Sequence, residues 1–190
     1  MREKGVTLVH NPTSNMKLGS GFARVADAAR LGVNIALGTD GPASNDNLDM
    51  FEEMHIASLL HKGVSKDPTV LPPREILAMA TANGASALGR PETGAIAPGK
   101  AADIAFVDMS APHLSPCFDA ANLAVHSMHG SDVAMTVVDG ETVYDARGGK
   151  PWENRFPKMD FAAVRERFLS SVASKVDSGR RQLPKPALRK

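Results

Sequence analysis

Val33-Asn34-Ile35-Ala36-Leu37-Gly38-Thr39-Asp40-Gly41 is an apolar run that ends in a carboxylate flanked by glycine. Val33–Leu37 shows little apolar–polar alternation, as expected of a strand covered on both faces. Val6–His10 has the same character and stops at Asn11-Pro12. It reads as another short buried strand, followed by a polar loop over Thr13–Gly21. Between the two strands, Phe22, Val25, Ala26, Ala29 and Leu31 fall at roughly helical spacing, and Gly32 supplies a stop. A strand–helix–strand order at this spacing is the signature of a parallel βαβ unit.

Working outward, Leu48–His61 has the apolar face of a second helix, and Pro72-Pro73 opens a third over Arg74–Leu88. The character changes after Gly89. Gly94–Gly99 is a turn region, and Ala102–Val107, Leu123–Val125, Val133–Val138 and Glu141–Tyr144 read as strands of a small β unit. Asp139-Gly140 is a strong two-residue hairpin turn. Phe161–Val176 predicts a closing amphipathic helix.

The chain has 22 Lys and Arg against 21 Asp and Glu, with 43% hydrophobic residues. That balance gives no general attraction to nucleic acid or to an anionic membrane. The basic tail Arg180–Lys190 reads as a solvated terminus. Cys117 is the one cysteine, so no internal disulfide forms and nothing signals an oxidising compartment. Its neighbours give no sign of an activated thiol. No apolar run approaches a membrane span, and the charged start Met1–Lys4 is no signal peptide. The expected location is the cytoplasm.

Asp40 is the most informative residue. The C-terminal ends of parallel strands form the active face of α/β folds. A carboxylate there ligates a metal or takes a proton from water, or else it is a turn residue capping the next helix. His10-Asn11-Pro12-Thr13-Ser14-Asn15 ends the neighbouring strand, so it shares that face. Its polar side chains either line a pocket or simply form a loop. His55 and His61 do not share a helix face, His126 and His129 lack a completing Cys, Asp or Glu nearby, and His113 lies in a loop. None of these makes a zinc set. Gly38–Gly41 lacks the lysine and hydroxyl of a phosphate cradle.

Two passages together, Val9–Gly21 and Leu37–Met50, resemble the amidohydrolase superfamily, and within it the 5-methylthioadenosine/S-adenosylhomocysteine deaminase group. Gly94–Asp103 is similar to the stretch where such enzymes leave their barrel for a small β-sandwich. The resemblance runs from Gly5 to about Arg147. It implies an α/β fold: the last two βα units of a (β/α)8 barrel, part of a β-sandwich, and a C-terminal helix. The implied divisions are residues 1–90, 91–148 and 149–190. It implies that Asp40 is both metal ligand and proton shuttle, with Asn11, Ser14, Asn15, Ser44 and Asn45 as candidate substrate contacts. His10 matches no metal ligand of the family.

The family's His-x-His pair on strand one, its strand-five and strand-six histidines, and the ring-protonating glutamate have no counterpart here. The resemblance therefore implies the C-terminal piece of a hydrolase, truncated or excised at Met1. Such a piece would be inactive alone, and would bind zinc or iron only when completed. The implied reaction is hydrolytic deamination of an adenine-type nucleoside. The alternatives are a guanine deaminase or chlorohydrolase, a non-catalytic interaction module, and a truncated-gene product. The unpaired strand edges imply a homo-oligomer or pairing with the missing N-terminal half.

Overall fold

The computed structural model describes residues 1–150 and 154–180, and side chains as far as residue 173. Two short strands, β1 (Leu8–His10) and β2 (Ile35–Leu37), pair in parallel with Leu8 opposite Ile35 and His10 opposite Leu37. Backbone bonds from Leu8 N to Asn34 O and from Gly38 N to His10 O, both 3.0 Å, bracket the ladder. The order and direction are those expected from the apolar runs.

The connection differs from expectation. The segment after β1 is not a loop from its outset: α1 (Pro12–Lys17) begins at once. Pro12 sits at the first helical position, where a missing N–H is harmless and φ is preset. The next helix, α2 (Val25–Arg30), is shorter than its apolar spacing suggests. It ends where Gly32, at φ 72°, and Val33 donate back to Ala29 and Ala28.

After β2 come α3 (Pro42–Asn45) and α4 (Met50–Ser65). Asp49 caps α4 by accepting from Phe51 N at 2.8 Å. The helix expected over Arg74–Leu88 is two helices, α5 (Pro73–Ala80) and α6 (Ala82–Ala87), broken at Thr81. Asn83 and Gly84, both weak helix formers, follow the break. The break lets Asn83 Nδ2 reach Ile35 O at 2.9 Å, while Asn83 O accepts from Asn34 Nδ2 at 3.2 Å. The helix is interrupted so that its side chain can tie β2.

The remaining strands are β3 (Ile104–Val107), β4 (Val133–Val138) and β5 (Glu141–Asp145), an antiparallel sheet in the order β3-β4-β5. Asp139 and Gly140 both have positive φ, 49° and 77°, which suits the right-handed twist of a tight hairpin. The strand expected at Leu123–Val125 is instead part of a helix, α7 (Ala120–His126), capped by Asp119 accepting from Asn122 N at 3.0 Å. Ala121, Ala124 and Val125 fall at i, i+3 and i+4 and are the buried positions of α7. The short apolar run Leu123–Val125 fits either period, and the aspartate cap decides it. The last helix, α8 (Phe161–Arg180), opens with Phe161 stacked on Phe156 at a centroid distance of 5.0 Å. Phe168 and Leu169 remain at least half exposed. Residues 181–190 of the basic tail lie outside the described residues.

One core joins β2 to the helices around it: Val25 from α2, Ile35 and Leu37 from β2, Met54 and Ala57 from α4, Leu71, Ile76 and Met79 around α5, and Val125 from α7. Among the described residues, no helix is long and apolar enough to cross a membrane. Ile76 is fully buried in this cluster. Its truncation to alanine removes buried methylenes and leaves a cavity, so Ile76→Ala should lower stability by about 2–5 kcal/mol in chemical denaturation.

Candidate functional site

Three residues past the end of β2, the backbone of Asp40 turns through φ 61°. That left-handed conformation is unusual for a side-chain-bearing residue and least unfavourable for Asn and Asp. The turn delivers the carboxylate to the C-terminal end of the parallel pair. There Asp40 Oδ2 accepts from Ser14 Oγ and from Ser44 Oγ, each at 2.8 Å. Ser14 arrives on α1 and Ser44 on α3, and each helix begins with proline at its first turn. Gly41 is the N-cap of α3, so Asp40 does not occupy the capping position. The hydroxyl of Ser14, then that of Ser44, then the Gly41 backbone hold the Asp40 carboxyl below the usual carboxylate range. Asp40 is therefore an ionised, exposed carboxylate at neutral pH.

Behind it lies a second, buried carboxylate that sequence reasoning did not single out. Glu53 of α4 is 1% exposed. Its Oε1 accepts from Asn45 Nδ2 at 2.5 Å, and its Oε2 accepts from Thr13 N at 3.4 Å. Asn45 Oδ1 in turn accepts from Leu48 N at 2.7 Å. The available signal was a charged residue placed four before Ala57, on the face of α4 that also carries Met54 and His61. Asn11 uses its side chain locally: its amide nitrogen, oriented to satisfy its neighbours, lies 2.9 Å from Gly38 O and 3.3 Å from His10 O. Asn15 contributes backbone bonds, donating to Asn11 O and accepting from Ser20 N. The structure thus brings Ser14, Ser44 and Asp40 into one contact and puts Asn11 and Asn45 into adjoining ones.

The histidines pair in ways their spacing does not reveal. His10, 1% exposed, meets His61 of α4 with Nε2 to Nε2 at 3.0 Å. His10 Nδ1 is buried without a partner. A buried N–H donor left unmade costs more than a bare ring nitrogen with weak acceptor character. The favoured arrangement is therefore a neutral His10 donating through Nε2 to His61. His113 Nε2 lies 3.0 Å from Asp132 Oδ2, and His55 meets His126 edge to face at 5.7 Å. Among the described residues, no group of three His, Cys, Asp or Glu is arranged to hold a metal ion.

Burial, then the neighbouring His61, pushes His10 down to about 4 from its ordinary 6.5. In the unfolded chain His10 takes up a proton near 6.5; in the fold it resists until about 4. Between those values the unfolded state binds more protons, so stability rises with pH and is lost as pH falls from 6.5 toward 4. His61 is lowered in the same direction, also by burial. Denaturation midpoints should be flat with respect to this pair above pH 6.5 and decline from there toward pH 4. A His10→Gln variant should decline less across that window.

Comparison with known proteins places the chain in a family. Residues 1–143 match the Amidohydrolase family. A 5-methylthioadenosine/S-adenosylhomocysteine deaminase of Acetivibrio thermocellus is 48% identical over 170 residues, covering 89% of this chain and 39% of the relative. A 5'-deoxyadenosine deaminase of Methanosarcina mazei is 57% identical over 141 residues, covering 74% of this chain and 32% of the relative. The crystal structure of an adenosine deaminase from Xanthomonas campestris, with bound zinc, superimposes with a TM-score of 0.81 at 36% identity. That match covers 95% of this chain and 39% of the other. This chain therefore spans about two fifths of the length of the Acetivibrio and Xanthomonas proteins. Its mixed α/β fold, its family match and its sequence identity converge on one assignment: the chain belongs to the amidohydrolase family.

Proposed function

We propose that this chain is the C-terminal part of a metal-dependent amidohydrolase that removes the amino group of an adenine-type nucleoside by hydrolysis. The observation that carries the proposal is the Asp40 carboxylate, ionised and braced at the C-terminal end of a parallel strand pair. The adenine-type substrate is favoured because the relatives reported above are deaminases of adenosine or its derivatives. On this reading β1 and β2 are the last two strands of a (β/α)8 barrel within residues 1–90. The antiparallel sheet of β3, β4 and β5 is part of a small sandwich within residues 91–148, and α8 (Phe161–Arg180) is the closing helix within residues 149–190.

Asp40 fits a divalent ion as one donor, since an ionised carboxylate is a suitable ligand. A tight zinc site needs three or four protein ligands, and this chain supplies one here. Zinc, or iron in its place, would supply Lewis-acid activation of water. Asp40 would accept the proton released as water attacks the ring carbon, and would pass it to the departing amino nitrogen as ammonia leaves. A carboxylate held in its ionised form by two hydroxyls is ready for the first of these transfers.

The exposed edge of β1 supports pairing with a complementary partner. Val9, in the middle of β1, is 53% exposed. Among the described residues the β1–β2 sheet has two strands, and β1 has no strand paired on its outer side, whereas Asn83 already occupies Ile35 O on the outer side of β2. The complement would be the remainder of the barrel or a further copy of this chain.

Two outcomes test the proposal. The purified chain alone should bind zinc at well below one equivalent by metal analysis; a tight stoichiometric site would contradict the assignment of one ligand. Co-expressed with the portion of the Acetivibrio relative that it does not span, the chain should support ammonia release from 5'-methylthioadenosine. The Asp40→Asn variant should reduce that rate by about a hundred- to ten-thousand-fold, the range of a general base. An unchanged rate would remove Asp40 from the chemistry.

A further inference from the structure

We infer that Ser14 and Ser44 are positioning residues for the Asp40 carboxylate and are not contacts to the substrate. The inference rests on the reading of Asp40 given above. A serine hydroxyl has one hydrogen to donate. Ser14 Oγ lies 2.8 Å from Asp40 Oδ2, and Ser44 Oγ lies 2.8 Å from the same oxygen. Ser44 Oγ is also 3.2 Å from Gly41 O. The shorter contact goes to the charged acceptor, where a hydrogen bond is stronger. Both hydroxyls thus commit their hydrogens to Oδ2. Both serines are also buried, at 3% and 9% exposure, which leaves little surface to offer a ligand.

The consequence is positional. Asp40 is itself exposed, and an exposed aspartate without partners samples several staggered rotamers. Two donors converging on one oxygen from separate helices select one of them and turn Oδ1 away from both serines. The helices that carry the donors are held together in turn. Lys17 of α1 reaches Ala43 O at 3.3 Å and Asp46 Oδ2 at 2.6 Å, bridging to α3. The neighbouring amides are committed in the same way, Asn45 to Glu53 and Asn11 to the strand ends. The two motifs after β1 and β2 form a brace around one carboxylate.

The test measures the side-chain rotamer of Asp40 directly, through three-bond couplings between its carboxyl carbon and the backbone nitrogen and carbonyl carbon in the isotope-labelled 190-residue chain. In the wild-type chain the couplings should take the values of one staggered rotamer. Combining Ser14→Ala with Ser44→Ala should shift them toward the average over the staggered wells. Ser14→Thr with Ser44→Thr, which keeps both hydroxyls, should return them. If the double alanine variant loses its dispersed spectrum, each single alanine variant is read in the same way, with a partial shift expected. Unchanged couplings in a folded alanine variant would overturn the inference. So would loss of fold in every alanine variant, which would make the hydroxyls part of the scaffold instead. An Asp40→Asn variant that deaminates normally would sink the functional reading but leave the rotamer result standing, so the two failures are distinguishable.

Discussion

Two short parallel strands, three residues each, fix the position of every group in the candidate site. Their pairing sets the ends of β1 and β2 side by side, so the segments that follow them leave the sheet at the same edge. Parallel strands cannot be joined by a tight turn, and the crossover through α1 and α2 is what that geometry demands. So short a ladder has few hydrogen bonds of its own. It is held by what surrounds it: Asn83 bonding the β2 backbone, Asn11 bridging the strand ends, and the cluster of Val25, Met54, Ala57 and Ile76 behind it.

On that frame the polar groups sort into two layers. The inner layer is closed: Glu53 with Asn45 and Thr13, and His10 with His61, are buried and bonded mainly to one another. The outer layer presents one ionised group, Asp40, to the solvent. A buried carboxylate or imidazole is tolerable only with partners, and breaking such a pair leaves the survivor unsatisfied. The inner layer therefore ties α4 to the segments that follow β1 and β2. Gly38 shows how closely the two strand ends approach, because a Cβ there would come within 2.6 Å of the Asn11 amide and 3.2 Å of Val9.

The parts of this arrangement legible in the sequence are those governed by local rules. The two apolar runs, the carboxylate after the second, the Asp139-Gly140 hairpin and the glycine stop at Gly32 each follow from residues next to one another. What was not legible depended on tertiary contact. Leu123–Val125 carries no period of its own, and its helical state follows from the Asp119 cap and from burial of Val125 in the common core. The break at Thr81 serves a bond from Asn83 to a strand 48 residues away. The His10–His61 contact spans 51 residues, and the two serines on Asp40 arrive from opposite sides of it in the chain. Ser14 and Ser44 stood out in the sequence as polar groups near a pocket, but their partner could be read only from the fold.

The chain spans about two fifths of the Acetivibrio and Xanthomonas proteins, and on the function proposed above Asp40 is where it would meet the rest of a metal site. Zinc anomalous diffraction from the chain reassembled with its complementary portion examines that point most directly. An anomalous peak should lie about 2.0–2.2 Å from an Asp40 carboxylate oxygen, the distance of a zinc–oxygen bond. A peak elsewhere in the barrel, with Asp40 outside coordination distance and still bonded to its two serines, would contradict it.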